Sequence, residues 1–128
     1  MKRASAADPQ AAACPCESGQ AYGCCCGPLH AGIAATDAVS LMRSRYSAYA
    51  LHLRDYLLAT WGAETRPSAA SLDFDPATKW LGLKIVRSVA AGDTATVEFV
   101  ARSRHGGGSA QRLHEISRFR RLEGRWYY

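Results

Sequence analysis

The sequence lacks a long apolar run, and this absence excludes a membrane-spanning helix. No stretch approaches the roughly 20 apolar residues that cross a bilayer. The first residues, which include Lys2 and Arg3, contain no apolar segment of the signal-peptide type. We therefore expect a cytoplasmic protein. Acidic residues are also fewer than basic ones, 11 against 16, and the formal net charge of +5 is compatible with a nucleic-acid or ribosomal partner.

Cysteine is absent outside one short segment, which begins at Cys14 and ends at Cys26. Its spacing of Cys-x-Cys, eight residues and Cys-Cys gives two close pairs that can converge on one metal ion. Disulfides are disfavoured because cytosolic thiols are kept reduced and the cysteine count of five is odd. Four thiolates suit Zn²⁺ and leave it no open position. We predict one structural zinc ion, bound by Cys14, Cys16, Cys25 and Cys26, with Cys24 left open as a replacement for Cys25 or as a spare thiol.

Composition divides the chain into three ranges. Residues 1–13, rich in Ala, Ser and Pro without periodicity, are predicted to be a flexible tail. Residues 14–28 contain all the cysteines and several glycines, which allow the tight turns of a small metal knuckle. Residues 36–128 are long enough to form the one larger domain.

The larger domain shows helical periodicity first and strand-like stretches afterwards. Apolar residues recur at three-and-four spacing from Thr36 to Leu53, and a second short helix is predicted over Asp55 to Trp61. The predicted strands are Trp80 to Val89, Thr94 to Arg104, Arg112 to Leu122 and Trp126 to Tyr128. Helices followed by an antiparallel meander indicate an α+β fold.

The cysteine segment reads Cys-Pro-Cys-Glu-Ser-Gly-Gln-Ala-Tyr-Gly-Cys-Cys-Cys-Gly and resembles the SEC-C motif. This resemblance implies that Cys25 and Cys26 form the second ligand pair. Two departures from the usual motif are Glu17, at a position usually held by glycine, and Cys24, which turns the final pair into a triplet. The motif is named after the tail of the SecA translocation motor, where a similar knuckle contacts the chaperone SecB and the ribosome.

The rest of the chain resembles the YchJ family of small bacterial SEC-C proteins. The resemblance rests on the following motifs: Leu-Met-Arg-Ser-Arg-Tyr-Ser-Ala-Tyr from Leu41, Trp-Leu-Gly-Leu from Trp80, Phe-Val-Ala-Arg from Phe99, and Gly-Arg-Trp-Tyr-Tyr from Gly124. That family is similar to nuclear transport factor 2-like proteins. The resemblance implies a strongly curved antiparallel sheet with helices packed in its concavity.

Curved sheets of this type often leave a cavity, and three residues are candidates for lining it. Tyr46 lies on the helical stripe, whereas Glu115 and Ser117 share one face of the third predicted strand with apolar neighbours. Glu115 could act there as an acid or base, and the structural alternative is an ion pair with an arginine such as Arg45. No Ser/His/Asp or Cys/His set can be assembled around His114, so we interpret it as a surface or hydrogen-bonded strand residue and favour a protein that is not an enzyme.

Three functions follow as hypotheses. The first is a zinc-binding adaptor that presents its knuckle to a protein or ribosomal partner. The second is a small-molecule-binding protein or weak enzyme that uses the cavity. The third is RNA binding through arginines of the strand region, namely Arg102, Arg104, Arg112, Arg118, Arg120, Arg121 and Arg125.

Overall fold

Helices precede strands in residues 9–128, the part of the chain that the computed structural model describes. Within it, α1 spans Cys26–His30, α2 spans Ala38–Leu51 and α3 spans Arg54–Ala59. None of these helices is long and apolar enough to cross a membrane. Residues 1–8 of the predicted flexible tail lie outside the described residues.

Helix α2 begins and ends where its sequence supplies caps. The Asp37 carboxylate accepts a hydrogen bond from the Ser40 backbone N–H at 2.8 Å and so caps the first turn. His52 adopts a left-handed conformation with φ of 61° and ends the helix. Both predicted helices are confirmed as α2 and α3, although their ends differ by one or two residues, as is usual where helix termini fray.

The strands of the described chain form one antiparallel meander in the order β1-β2-β3-β4. Their bounds are Thr78–Ala91 for β1, Thr94–His105 for β2, Ala110–Leu122 for β3 and Arg125–Tyr127 for β4. The register of β1 shifts between Trp80 and Gly82 and again between Ile85 and Arg87, and such irregularities bend a strand. The α+β fold with a curved antiparallel sheet is therefore confirmed.

The side of the sheet that α2 covers, here called the inner face, carries much of the core. Alternation along β2 turns Ala95, Val97, Phe99 and Ala101 toward the helices, and all four are buried. Helix α2 contacts both β1 and β2 on this side. Full burial of a side chain such as Val97 or Phe99 stabilises the fold by about 1.5–3 kcal/mol. The opposite side is here called the outer face, and side chains such as Lys84 and Arg102 are exposed on it.

A buried arginine joins α2 to α3 and to the end of the sheet. The Arg45 guanidinium donates hydrogen bonds to the Leu57 carbonyl at 2.9 Å and to the Thr60 hydroxyl at 2.6 Å. It also lies over the rings of Trp61 and Tyr128, 4.9 and 4.6 Å from their centroids. Cation–π contacts of this kind strengthen when they are desolvated. The charge of Arg45 is thus compensated by carbonyl, hydroxyl and aromatic groups.

Candidate metal centre

Four cysteine sulfurs meet at one point between the N-terminal segment and α2. The Sγ atoms of Cys14, Cys16, Cys25 and Cys26 all lie within 4.8 Å of one another. Cys25 Sγ is 3.6 Å from Cys16 Sγ and 3.9 Å from Cys26 Sγ. A tetrahedral four-thiolate zinc site with Zn–S bonds of about 2.3 Å requires sulfurs about 3.8 Å apart. The donor set and its spacing therefore fit such an ion, and the structure brings together the four predicted ligands.

Cys24 lies outside this group. Its side chain is exposed, whereas Cys14, Cys16 and Cys26 are buried and Cys25 is half-buried. The backbone of Cys24 closes a 3₁₀ turn over Tyr22–Cys24, and Cys26 opens α1. The change of conformation at Cys25, where φ is −129° and ψ is −99°, lies between these two elements. The cysteine spacing left Cys24 and Cys25 as alternatives for one ligand position. The structure places Cys25 in the sulfur cluster and Cys24 outside it.

A short backbone ladder forms the walls of the centre. The Cys14 N–H donates to the Gln20 carbonyl at 2.9 Å, and the Tyr22 N–H donates to the Ala12 carbonyl at 2.8 Å. The Gly23 N–H donates to the Gln10 carbonyl at 2.9 Å. The predicted knuckle comprises residues 14–28. The backbone hydrogen bonds around it begin earlier in the chain, at Gln10.

Glu17, the departure from the SEC-C pattern, occupies a left-handed position. Its φ of 62° explains why glycine is usual there, because a side chain at such a φ costs about 1–2 kcal/mol. The carboxylate reaches β1, where it lies against Gly82. A Cβ atom added at Gly82 would lie only 3.0 Å from Glu17 Oε1, so this approach depends on the missing side chain.

Hydrogen-bond donors from α2 and from the motif surround the sulfurs. The Ser47 hydroxyl donates to Cys26 Sγ at 3.3 Å, and the Ser18 hydroxyl is 3.1 Å from Cys25 Sγ. The Arg43 guanidinium donates to the Cys16 carbonyl at 3.0 Å and lies 3.9 Å from Cys16 Sγ. Four thiolates on a divalent ion carry a net negative charge, which these donors and the Arg43 cation would stabilise.

The thiols share protons unequally. Hydrogen bonding from Cys26 lowers the pKa of Cys16 to about 4, and the same interaction raises the pKa of Cys26. Burial raises the pKa of Cys25. A metal ion must displace the remaining protons, so its binding releases protons and weakens as the pH falls.

His30, which the sequence analysis did not single out, fastens the knuckle to the helices. Its Nε2 is 2.8 Å from the Ser44 carbonyl, which can only accept, so Nε2 carries the proton. Nδ1 then accepts a hydrogen bond from the Tyr22 hydroxyl at 2.6 Å. The ring also makes an edge contact with Tyr56. Burial lowers the pKa of His30 and favours this neutral form. No local pattern marks His30, because its partners are distant in the sequence.

The cysteine centre and the sheet share one core. Cys14, Cys16 and Cys26 pack in a single buried cluster with Tyr46, Leu83, Phe99 and Ala101. The knuckle is therefore continuous in packing with the domain of residues 36–128.

Comparison with known proteins assigns this architecture to a family. The YchJ_M-like family model, described as the middle, NTF2-like domain of YchJ, matches residues 37–128. This chain belongs to the YchJ family. The predicted resemblance is confirmed.

Relatives of this YchJ-family chain match almost its whole length. It is 55% identical to the UPF0225 protein of Xanthomonas campestris pv. campestris over 90% of each chain. It is 57% identical to the UPF0225 protein of Bordetella parapertussis, over 91% of this chain and 90% of that one. The solution structure of a SEC-C motif containing protein from Rhodopseudomonas palustris matches with a TM-score of 0.78 and 43% identity, covering 89% of this chain and 92% of that chain. The crystal structure of a SEC-C motif containing protein from Psychrobacter arcticus matches with a TM-score of 0.76 and 27% identity, covering 93% and 81%.

Two of the three predicted cavity residues line a cleft in this YchJ-family fold. Glu115 and Ser117 lie in an open cleft of about 920 Å³, whose walls include Trp61 and Tyr128. Tyr46 is not among the lining residues, because it is only 3% exposed and belongs to the cysteine-lined core. Small-molecule binding in this cleft stays a prediction.

The structural alternative for Glu115, an ion pair with an arginine such as Arg45, is wrong for the described residues. The Glu115 carboxylate accepts a hydrogen bond from the Ser117 hydroxyl at 3.1 Å, and Arg45 donates to α3 instead. The interpretation of His114 as a hydrogen-bonded strand residue is confirmed, since its Nε2 lies 2.7 Å from Glu98 Oε2.

Replacing Glu17 with glycine tests the backbone argument. Glu17→Gly should raise the free energy of unfolding by about 0.5 kcal/mol, because it removes left-handed strain at the cost of a more flexible unfolded chain. The matched change Gly19→Ala, at φ of 91° with open space around the site, should lower it by about 1 kcal/mol. Urea denaturation measures both values. A destabilised Glu17→Gly variant would mean that the carboxylate contact with Gly82 outweighs the strain.

Proposed function

We propose that this protein is a zinc-binding interaction protein, in which one structural Zn²⁺ holds the knuckle as a rigid surface for a protein or ribosomal partner. The observation that carries the proposal is the convergence of four thiols within 4.8 Å. When bound by four thiolates, Zn²⁺ has no open position for water or substrate and supplies folding energy instead of catalysis. Cys14, Cys16, Cys25 and Cys26 would hold the ion.

The exposed side of the knuckle is small and well supported. Glu17, Gly19, Gln20 and Cys24 are exposed there, while the sulfurs behind them are tied to α2. A surface whose backbone is already ordered loses little conformational entropy when a partner binds. The SEC-C knuckle of SecA, which contacts a chaperone and the ribosome, is the analogy for this use.

Metal stoichiometry tests the ligand set. Native mass spectrometry of the reduced chain should show one zinc ion in the wild type and in Cys24→Ser. Cys25→Ser should lose the ion, because three thiolates bind zinc more weakly than four. Retention in Cys25→Ser together with loss in Cys24→Ser would assign the second pair to Cys24 and Cys26. An absence of zinc from every form would overturn the metal proposal.

Chelation tests the shared core. Removal of the ion should lower the thermal midpoint of the whole chain by about 10 °C, because Cys16 and Cys26 pack with core residues of α2 and the sheet. Near-ultraviolet circular dichroism follows the packing of the aromatic side chains, which include Trp80 beside that cluster. An unchanged aromatic transition would instead support two independently folding units, residues 14–28 and residues 36–128.

Matched surface variants test the interaction role. Gln20→Glu, on the exposed knuckle, should reduce partner capture or ribosome co-sedimentation about 10-fold, as expected at a contact important for binding. Ser68→Glu makes the same charge change at an exposed position outside the knuckle and should leave binding unchanged. Equal losses in the two variants, or no captured partner at all, would contradict the proposal while leaving the zinc result intact.

A further inference from the structure

The outer face of the sheet collects basic side chains from three strands. Register places Arg102 opposite Gly82 on one side and Arg112 on the other, and it places Arg104 opposite Lys79. We call each set of residues paired across β1, β2 and β3 a row. Because alternate residues of a strand share a face, every second row contributes its side chains to this same side. The seven cations of this face are Lys79, Lys84, Arg87, Arg102, Arg104, Arg112 and Arg118, and all are exposed.

These cations have no compensating partner in the described part of the chain. None of the seven side chains forms a hydrogen bond or ion pair with another residue of 9–128. The other arginines of the strand region are engaged elsewhere. Arg120 pairs with Glu64 and Arg121 with Asp93, while Arg125 donates to a backbone carbonyl.

Like charges lie directly opposite each other on this face. Arg102 faces Arg112 across β2 and β3, and Lys79 faces Arg104 across β1 and β2. Such cross-strand pairs are destabilising unless an anion lies between them. Glu98, the carboxylate in the register of these rows, is hydrogen-bonded to His114, and Glu17 of the knuckle lies against Gly82, the partner of Arg102, so two carboxylates adjoin seven cations. The arrangement therefore favours an external polyanion.

The shape of the basic surface favours a linear ligand. Five rows of alternate residues extend about 27 Å along β2, while three strands span only about 10 Å across the sheet. Five of the seven cations are arginines, whose planar forks bind phosphate oxygens through two hydrogen bonds. The rows carry no Phe, Tyr or Trp side chain for base stacking, and their one imidazole, His114, is hydrogen-bonded to Glu98, so the contacts would be to the backbone. The Glu98 carboxylate, next to the cations, can accept a hydrogen bond from a ribose 2′-hydroxyl.

We propose that the outer face binds the phosphate backbone of single-stranded RNA. The proposal goes beyond the zinc knuckle and does not depend on the metal. It corrects the sequence-based RNA hypothesis, because Arg120, Arg121 and Arg125 leave the predicted set and Lys79, Lys84 and Arg87 enter it.

Salt-dependent fluorescence anisotropy of the full chain with a labelled 20-nucleotide uridine RNA tests the assignment. Contact with about five phosphates predicts a slope of about −3.5 for the logarithm of the binding constant against the logarithm of salt concentration. Arg102→Gln/Arg112→Gln should lower affinity at least about 10-fold and move the slope to about −2. The control Arg66→Gln/Arg121→Gln removes the same charge away from the face and should retain most of the binding.

Several results would overturn the proposal. These are absence of binding at 50 mM salt, an unchanged slope in the Arg102/Arg112 variant, and an equal loss in the control, which would indicate a general charge effect. Equal binding of dextran sulfate or of DNA with the same sequence would overturn RNA as the ligand.

Glu98→Gln should reduce the preference for RNA over DNA. The Arg102/Arg112 variant should unfold at or above the wild-type temperature, because it removes a repulsive pair, and a lower midpoint would refute the like-charge argument.

Discussion

Packing between α2 and the four cysteines is the constraint on which the rest of this structure depends. Ser47 and Arg43 reach the sulfurs or their backbone from one side of the helix, and Tyr46 packs with them against the sheet. A single helix thus holds the knuckle and the sheet in one core. The helical periodicity of α2 predicts only which side chains face the core and which face solvent. The structure shows that Arg43 and Ser47 of this helix also contact the cysteine cluster.

The departure of Glu17 from the SEC-C pattern shows how a residue in a strained position of the knuckle can contact a distant strand. A glycine would adopt the left-handed backbone without strain, but it could not extend a carboxylate to β1. The contact needs Gly82, where a Cβ atom would crowd the carboxylate. The unusual Glu17 of the knuckle therefore depends on a glycine, Gly82, at the contacting position of β1.

The positively charged side chains of this protein have two distinct roles. Arg45 is buried and held by two acceptors and two aromatic rings, so its charge contributes to the fold. The cations of the outer face are exposed and repel one another, so their charge contributes nothing to the stability of the isolated chain. The net charge of +5 could not distinguish these two roles.

The sequence by itself determined the element types, the α+β order and the candidate ligands, because periodicity and cysteine spacing are properties of neighbouring residues. Tertiary structure decided what depends on residues far apart in the chain. It placed Cys24 outside the sulfur cluster, kept Tyr46 away from the cleft that Glu115 and Ser117 line, and gave His30 its two partners. Strand register likewise decided which cations meet on the outer face, because pairing between strands, and not the order along the chain, makes Arg102 and Arg112 neighbours.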